Sequence, residues 1–155
     1  MAFVFGCLLI TTVLSSCDSK RVYDTMKDLD SSAWNERKEL AFEVNIPDAS
    51  VPYTLYYSLR YDNTYPYYNL YINRLLEDST GKMLNKKLQA MDLFKNDTGM
   101  PMGKGMGAKK DYLIISETNY KFPYAGKYTF KLKQYMRQEN LPGISAVGFR
   151  IEKQN

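Results

Sequence analysis

The residues best arranged for chemistry are Leu14, Ser15, Ser16 and Cys17, which follow one another directly. An aliphatic side chain, two small ones and then a cysteine resemble a bacterial lipobox. Small groups at Ser15 and Ser16 let extended backbone enter a peptidase cleft, with the expected signal cleavage after Ser16. The Cys17 sulfur then carries a diacylglycerol as a thioether, and its new amino group accepts a further acyl chain. Several chains anchor stably, whereas a single chain holds a protein to a bilayer only marginally. Cys17 is therefore the expected lipid attachment site.

The segment ahead of this box fits the same chemistry. No charged residue occurs from Met1 to Ser16, and Phe3 to Leu14 are apolar apart from Gly6, Thr11 and Thr12. This run is too short to cross a bilayer core as a helix, which takes about 20 residues. It suits the apolar centre of a secretory signal, typically about 7–15 residues. The polar stretch that follows, with Lys20, Arg21, Asp24, Lys27 and Asp28, reads as a tether. The expected organisation is a signal peptide over 1–16, a lipidated N-terminus and tether over 17–33, and one β-domain over 34–155.

Composition narrows the remaining chemistry. The 155-residue chain has no histidine, and its formal net charge is +4. A Ser-His-Asp triad and any histidine-ligated metal site are therefore excluded. Cys7 leaves with the signal and Cys17 becomes a thioether, so the mature domain offers no disulfide and no zinc-thiolate site. Catalysis could rest only on carboxylates, Lys, Tyr or Ser. Glu77 and Asp78 are adjacent, and neighbours on a strand point to opposite faces, which suits no acid/base pair. The spacing of Asp92, Asn96 and Asp97 matches no calcium loop. The run Met102-Gly103-Lys104-Gly105-Met106-Gly107 lacks the Ser or Thr that follows Gly-Lys in a phosphate loop, and reads as a flexible loop. Neither an enzyme nor a cofactor or metal is expected. The mild charge, without a basic block, also speaks against a nucleic-acid partner.

From Trp34 onward the hydrophobic period is two. Phe42, Val44 and Ile46 alternate with polar residues, as do Leu55, Tyr57, Leu59 and Tyr61. Leu70 to Glu77 and Met83 to Leu88 flank Asp78-Ser79-Thr80-Gly81, which has hairpin-loop composition. Tyr112 to Ile115 reads as a short buried strand. Tyr128, Phe130 and Leu132 form the clearest alternation, with Lys127, Lys131 and Lys133 on a solvated face that discourages edge pairing. Val147, Phe149 and Ile151 give a last strand. Seven or eight short strands separated by turn residues imply an all-β fold, a single β-sandwich or jelly-roll-like domain.

Two features suit contact with a partner. Met100, Met102 and Met106 lie within the glycine-rich stretch from Asp97 to Gly107, and methionine adapts to irregular surfaces. Many of the 14 tyrosines crowd between Tyr53 and Tyr71. Those in phase with Leu55 and Leu59 belong to the core. Tyr56, on the opposite face, and Tyr65, Tyr67 and Tyr68, near the turn at Asp62-Asn63-Thr64, are expected to be exposed. The same tyrosines could form a glycan platform, although core and ordinary surface explain most of them.

The ordered segments resemble the gliding motility lipoprotein GldH family of the Bacteroidetes. The resemblance starts at Leu14-Ser15-Ser16-Cys17 and continues through Trp34-Asn35, Pro52-Tyr53-Thr54-Leu55-Tyr56 and Tyr65-Pro66. It runs on through Gly103-Lys104-Gly105-Met106-Gly107, Gly126-Lys127-Tyr128-Thr129-Phe130, Met136-Arg137 and Leu141-Pro142-Gly143-Ile144, as far as Glu152. It implies an outer-membrane lipoprotein, on either face of that membrane, that supports gliding and works with envelope proteins of the type IX secretion apparatus. It implies no catalytic residue. A lipid-anchored glycan-binding protein is the alternative.

Overall fold

The computed structural model describes residues 19–154. In chain order the strands are β1 (Arg21–Asp28), β2 (Ala33–Asn35), β3 (Leu40–Ile46), β4 (Tyr53–Tyr61) and β5 (Asn69–Asp78). They continue with β6 (Met83–Asp92), β7 (Lys110–Tyr120), β8 (Gly126–Gln134), β9 (Asn140–Pro142) and β10 (Ile144–Lys153). One sheet has the order β1-β10-β4-β7 and the second β3-β8-β5-β6, while β2 pairs with β9 alone. All pairings are antiparallel. Leaving aside the two short strands, this is the strand order of an eight-stranded jelly roll.

The alternating residues make the core. Tyr53, Leu55, Tyr57, Leu59 and Tyr61 of β4 are buried, and they face Phe42, Val44, Leu70, Ile72, Phe130 and Leu132 of the other sheet. Phe130 and Phe149 meet across the two sheets with ring centroids 4.3 Å apart. Such contacts are what an alternating strand with one dry face is built to make.

Three expectations need correction. The stretch taken for a tether contains β1, which pairs with β10 from Arg21↔Glu152 to Asp28↔Ala146. Trp34 in β2 is fully buried, so the fold begins well before residue 34. β1 escaped notice because it is an edge strand with mostly exposed residues and a register shift between Arg21 and Tyr23. The segment around Tyr112 to Ile115 is a strand, but an edge one, with Leu113 43% and Ile115 59% exposed. Finally, the lysines of β8 guard no edge, because β8 lies between β3 and β5. Lys131 instead spans its own face, 2.8 Å from Glu77 and 3.8 Å from Glu39.

The strand directions sort the connections between two ends. Ile46↔Gly126, Tyr53↔Lys153 and Asp78↔Tyr128 place the turns 47–52, 79–82 and 121–125 together with the start of β1. The opposite end gathers the longer segments 29–39, 62–68, 93–109 and 135–143.

Candidate functional site

The long-loop end holds the residues expected to meet a partner, although not all of them are available. Tyr65 is buried at 5% exposure, and its hydroxyl donates to the Asn69 carbonyl at 2.6 Å. Its ring stacks on Phe94 and meets Tyr67 edge-on. Burial pushes its phenol well above the ordinary range. Tyr65 is therefore a core residue that carries the turn, which corrects its expected exposure. The reason lies in the turn itself: Asp62 accepts from both the backbone N–H and the hydroxyl of Thr64, folding Tyr65 back under the loop.

Tyr67 and Tyr68 do reach the surface, at 39% and 54% exposure. The Tyr67 hydroxyl donates to Gln138 Oε1 at 2.9 Å, which links this turn to the segment after β8. Tyr68, Phe94 and Gly99 line one shallow groove with Asn63, Tyr65, Pro66 and Tyr67. Met100, Met102 and Met106 are all exposed, Met106 almost completely. Tyr56 lies elsewhere, on the outer face of the first sheet, where its hydroxyl donates to Glu152.

The glycine-rich loop is held at its base. The buried Tyr61 hydroxyl donates to the Leu93 carbonyl at 2.7 Å and accepts from the Gly103 N–H at 2.9 Å. Lys104 and Asp111 exchange backbone hydrogen bonds, both 2.8 Å. Lys110 donates to the carbonyls of Gly105 and Gly107. Gly103 is closely packed, since a Cβ there would lie 3.0 Å from the Asp111 carbonyl oxygen and 3.1 Å from the Tyr61 ring. The loop thus presents Met106 from a base held by these hydrogen bonds.

Sequence reasoning missed a second cluster altogether. Arg74 sits in the inward phase of β5, between Ile72 and Leu76, and is fully buried. Its Nη1 donates to Ser116 Oγ at 3.0 Å and its Nη2 to Glu117 Oε2 at 2.7 Å. The guanidinium also lies 5.9 Å from the Phe130 ring centroid. Around it, the Tyr57 hydroxyl donates to Gln89 Oε1, the Ser116 hydroxyl donates to the same oxygen, and Gln89 Nε2 donates to the Ser116 carbonyl. Burial raises the Tyr57 phenol above its usual range, which keeps it a donor. A bulge makes this possible: Leu55 opposes Glu117 while Tyr56 opposes Ile115, so Ser116 is the extra residue and Glu117 turns inward. The cluster ties β5 and β6 to β7 across the two sheets.

Arg74→Ala should therefore unfold more readily by about 2–4 kcal/mol, since it leaves Glu117 only the more distant Lys87 at 3.6 Å; Glu117 is partly exposed, which lowers the usual loss. Arg74→Met combined with Glu117→Gln should be the milder change in urea unfolding. Equal losses in the two proteins would show that the ion pair is not what matters.

Among the described residues no group of three His, Cys, Asp or Glu side chains converges for a metal, and no helix is long and apolar enough to cross a membrane. Ser16 and Cys17 lie outside the described residues.

The family model of the GldH lipoprotein matches residues 21–151, from the start of the first strand into the last. This chain belongs to the GldH lipoprotein family. It is 34% identical over 160 residues to the gliding motility lipoprotein GldH homolog of Christiangramia forsetii, covering 98% of this chain and 96% of that protein. It is 34% identical over 155 residues to the gliding motility lipoprotein GldH of Flavobacterium johnsoniae, covering 96% and 94%. GldH proteins are thus its full-length relatives, and the chain is a gliding-motility lipoprotein by family. A solved structure of infectious bursal disease virus, Gx strain, aligns over 97% of this chain and 36% of its own. At 15% identity and a TM-score of 0.39, that likeness is too loose to bear on function.

Proposed function

We propose that this GldH-family protein is a non-enzymatic accessory of the envelope machinery for gliding and its linked type IX secretion, held in the outer membrane by lipid on Cys17. It works by contact through the long-loop end. The observation that supports this most is the pairing of exposed Tyr67, Tyr68, Met100 and Met106 with a base fixed by Tyr61 and Tyr65. Tyrosine side chains on a fixed support bind partners with little loss of conformational entropy, and the more flexible methionines adapt their shape to the partner.

The test uses a gliding bacterium lacking its own GldH protein. The intact chain should restore spreading and co-purify envelope proteins from solubilised membranes. Tyr68→Ser, Met100→Ser and Met106→Ser combined should lose both, while melting within a few degrees of the parent, because exposed substitutions change stability by only about 0.5 kcal/mol each. Normal spreading and the same co-purified proteins in the triple variant would defeat the proposal. Glycan binding that depends on Tyr68 would instead favour the glycan-binding reading.

A further inference from the structure

The strand directions fix which end of the domain meets the membrane. The Lys153 N–H donates to the Lys20 carbonyl at 2.8 Å, so the chain is already tied to the sheet at Lys20. Cys17 stands three positions earlier. Three residues span at most about 11 Å even when fully extended. With Arg21–Asp28 of the expected tether paired in the sheet, the short-turn end has little room to stand away from the bilayer. We infer that this end rests directly on the anionic headgroups of the membrane that holds the lipid. The inference rests on the Cys17 anchor proposed above and adds the orientation and the contacted surface.

The chemistry of the two ends supports this assignment. Lys20, Arg21, Lys82, Lys121, Lys127 and Lys153 all lie at the short-turn end, and all but Lys153 are exposed. Of the carboxylates there, Asp48 accepts from the Ser50 N–H and hydroxyl, and Asp78 accepts from Thr80 and Lys82. Glu77 holds Lys131 and Glu152 holds Arg150. These carboxylates, though not the exposed Glu43, are thus engaged by turns and strand faces, while the lysines project outward. Tyr124, 40% exposed and stacked on Tyr128, adds an aromatic ring of the kind favoured at the headgroup level. The long-loop end carries no such bias, with Asp30, Glu36, Glu39, Asp62, Asp97 and Glu139 beside Arg37, Lys38, Lys95, Lys104, Lys109 and Arg137. A strand of the length of β10 spans roughly 30 Å, so Tyr68 and Met106 are held about that far from the bilayer.

The experiment uses the full lipidated protein, with lipidation first established by intact mass. Single cysteines at Ser79→Cys, in the short turn, or Met106→Cys, at the loop tip, carry a fluorophore. The protein is reconstituted into vesicles of phosphatidylethanolamine and phosphatidylglycerol containing a headgroup spin label. Quenching at position 79 should exceed that at position 106 by roughly fivefold, given the separation of about 30 Å. Replacing Lys82, Lys121 and Lys127 together by Glu should reduce quenching at 79 about twofold, and high salt should do the same to the unsubstituted protein. Neither change should matter in pure phosphatidylcholine. Equal or greater quenching at 106 overturns the orientation. Indifference to both charge reversal and salt overturns the headgroup contact. A protein without lipid removes the anchor itself, and the orientation falls with it; retained lipid with an unquenched position 79 leaves the anchor standing and sinks only this inference.

Discussion

Replacing Cys17 with Ser should abolish labelling by a fatty-acid analogue and leave a chain whose mass includes neither lipid nor the cut after Ser16, if the proposed anchor holds. The cause is chemical, because the serine oxygen cannot take the place of the thiolate that forms the thioether. The effect is all-or-none: every acyl chain depends on that sulfur, and each buried methylene contributes about 0.8 kcal/mol to membrane affinity. A domain beginning at Ser19 behind an ordinary secretory leader separates anchor from fold. It should be released from membranes yet melt as the lipidated protein does, since the described strands start at Arg21. Labelling that persists in Cys17→Ser would show that the lipid is elsewhere, and every statement about orientation would need rebuilding.

The second large effect is expected at Gly143, which joins β9 to β10. It has φ +79°, and a Cβ placed there would lie 2.3 Å from the Tyr65 nitrogen and 2.6 Å from its Cα. Both are backbone atoms, so no side chain can swing away. The surrounding chain is fixed as well: the Gly143 N–H donates to the Ser32 carbonyl, and the Gly143 carbonyl accepts from the Asp62 N–H. Gly143→Ala combines a left-handed backbone, worth about 1–3 kcal/mol, with overpacking of similar size. A loss of roughly 3–5 kcal/mol, or about 10–20 °C in Tm, follows for a domain of this length. Gly107 is the control, with φ +76° but nothing within 4 Å of the added carbon. Gly107→Ala should lose only about 1 kcal/mol. If thermal melts show equal losses at the two glycines, the close approach of Tyr65 is not the constraint.

How far the sequence could be read depended on whether a strand has one wet face. β3, β4 and β8 do, and their alternation was legible from Phe42-Val44-Ile46, Leu55-Tyr57-Leu59 and Tyr128-Phe130-Leu132. β1 buries little and gains its order from β10, on the far side of the sequence, so its residues resemble a polar linker. At the candidate interface, Met100, Met102, Met106, Tyr67 and Tyr68 are exposed as their context suggested, whereas Tyr65 is not. Its fate turned on the Asp62–Thr64 turn and on Phe94, a contact that no local pattern encodes. Arg74 left one legible trace, a basic residue in the dry phase of β5. Its partners could not be foreseen, because Glu117 faces inward only through a bulge in a strand distant in sequence. The proposed lipobox stands apart from all of this, since a short sequence signal of that kind would be recognised without a fold.

The pairing of β1 with β10 also sets an order of assembly. Tyr23 lies opposite Ile151, so the first strand of the domain has no partner until the last one has been made. Contacts this distant in sequence close slowly, because loop entropy must be overcome before any pairing compensates. β4 and β7 can pair earlier, since both precede β10, but their sheet remains split until Ile144–Lys153 enters between β1 and β4. During that interval the open edge of β4 and the unpaired Arg21–Asp28 segment are available to a chaperone or to another chain. A translation stop just before Ile144 would leave β1 and β4 without their shared neighbour, and proteolysis rather than partial activity is the expected fate of such a chain.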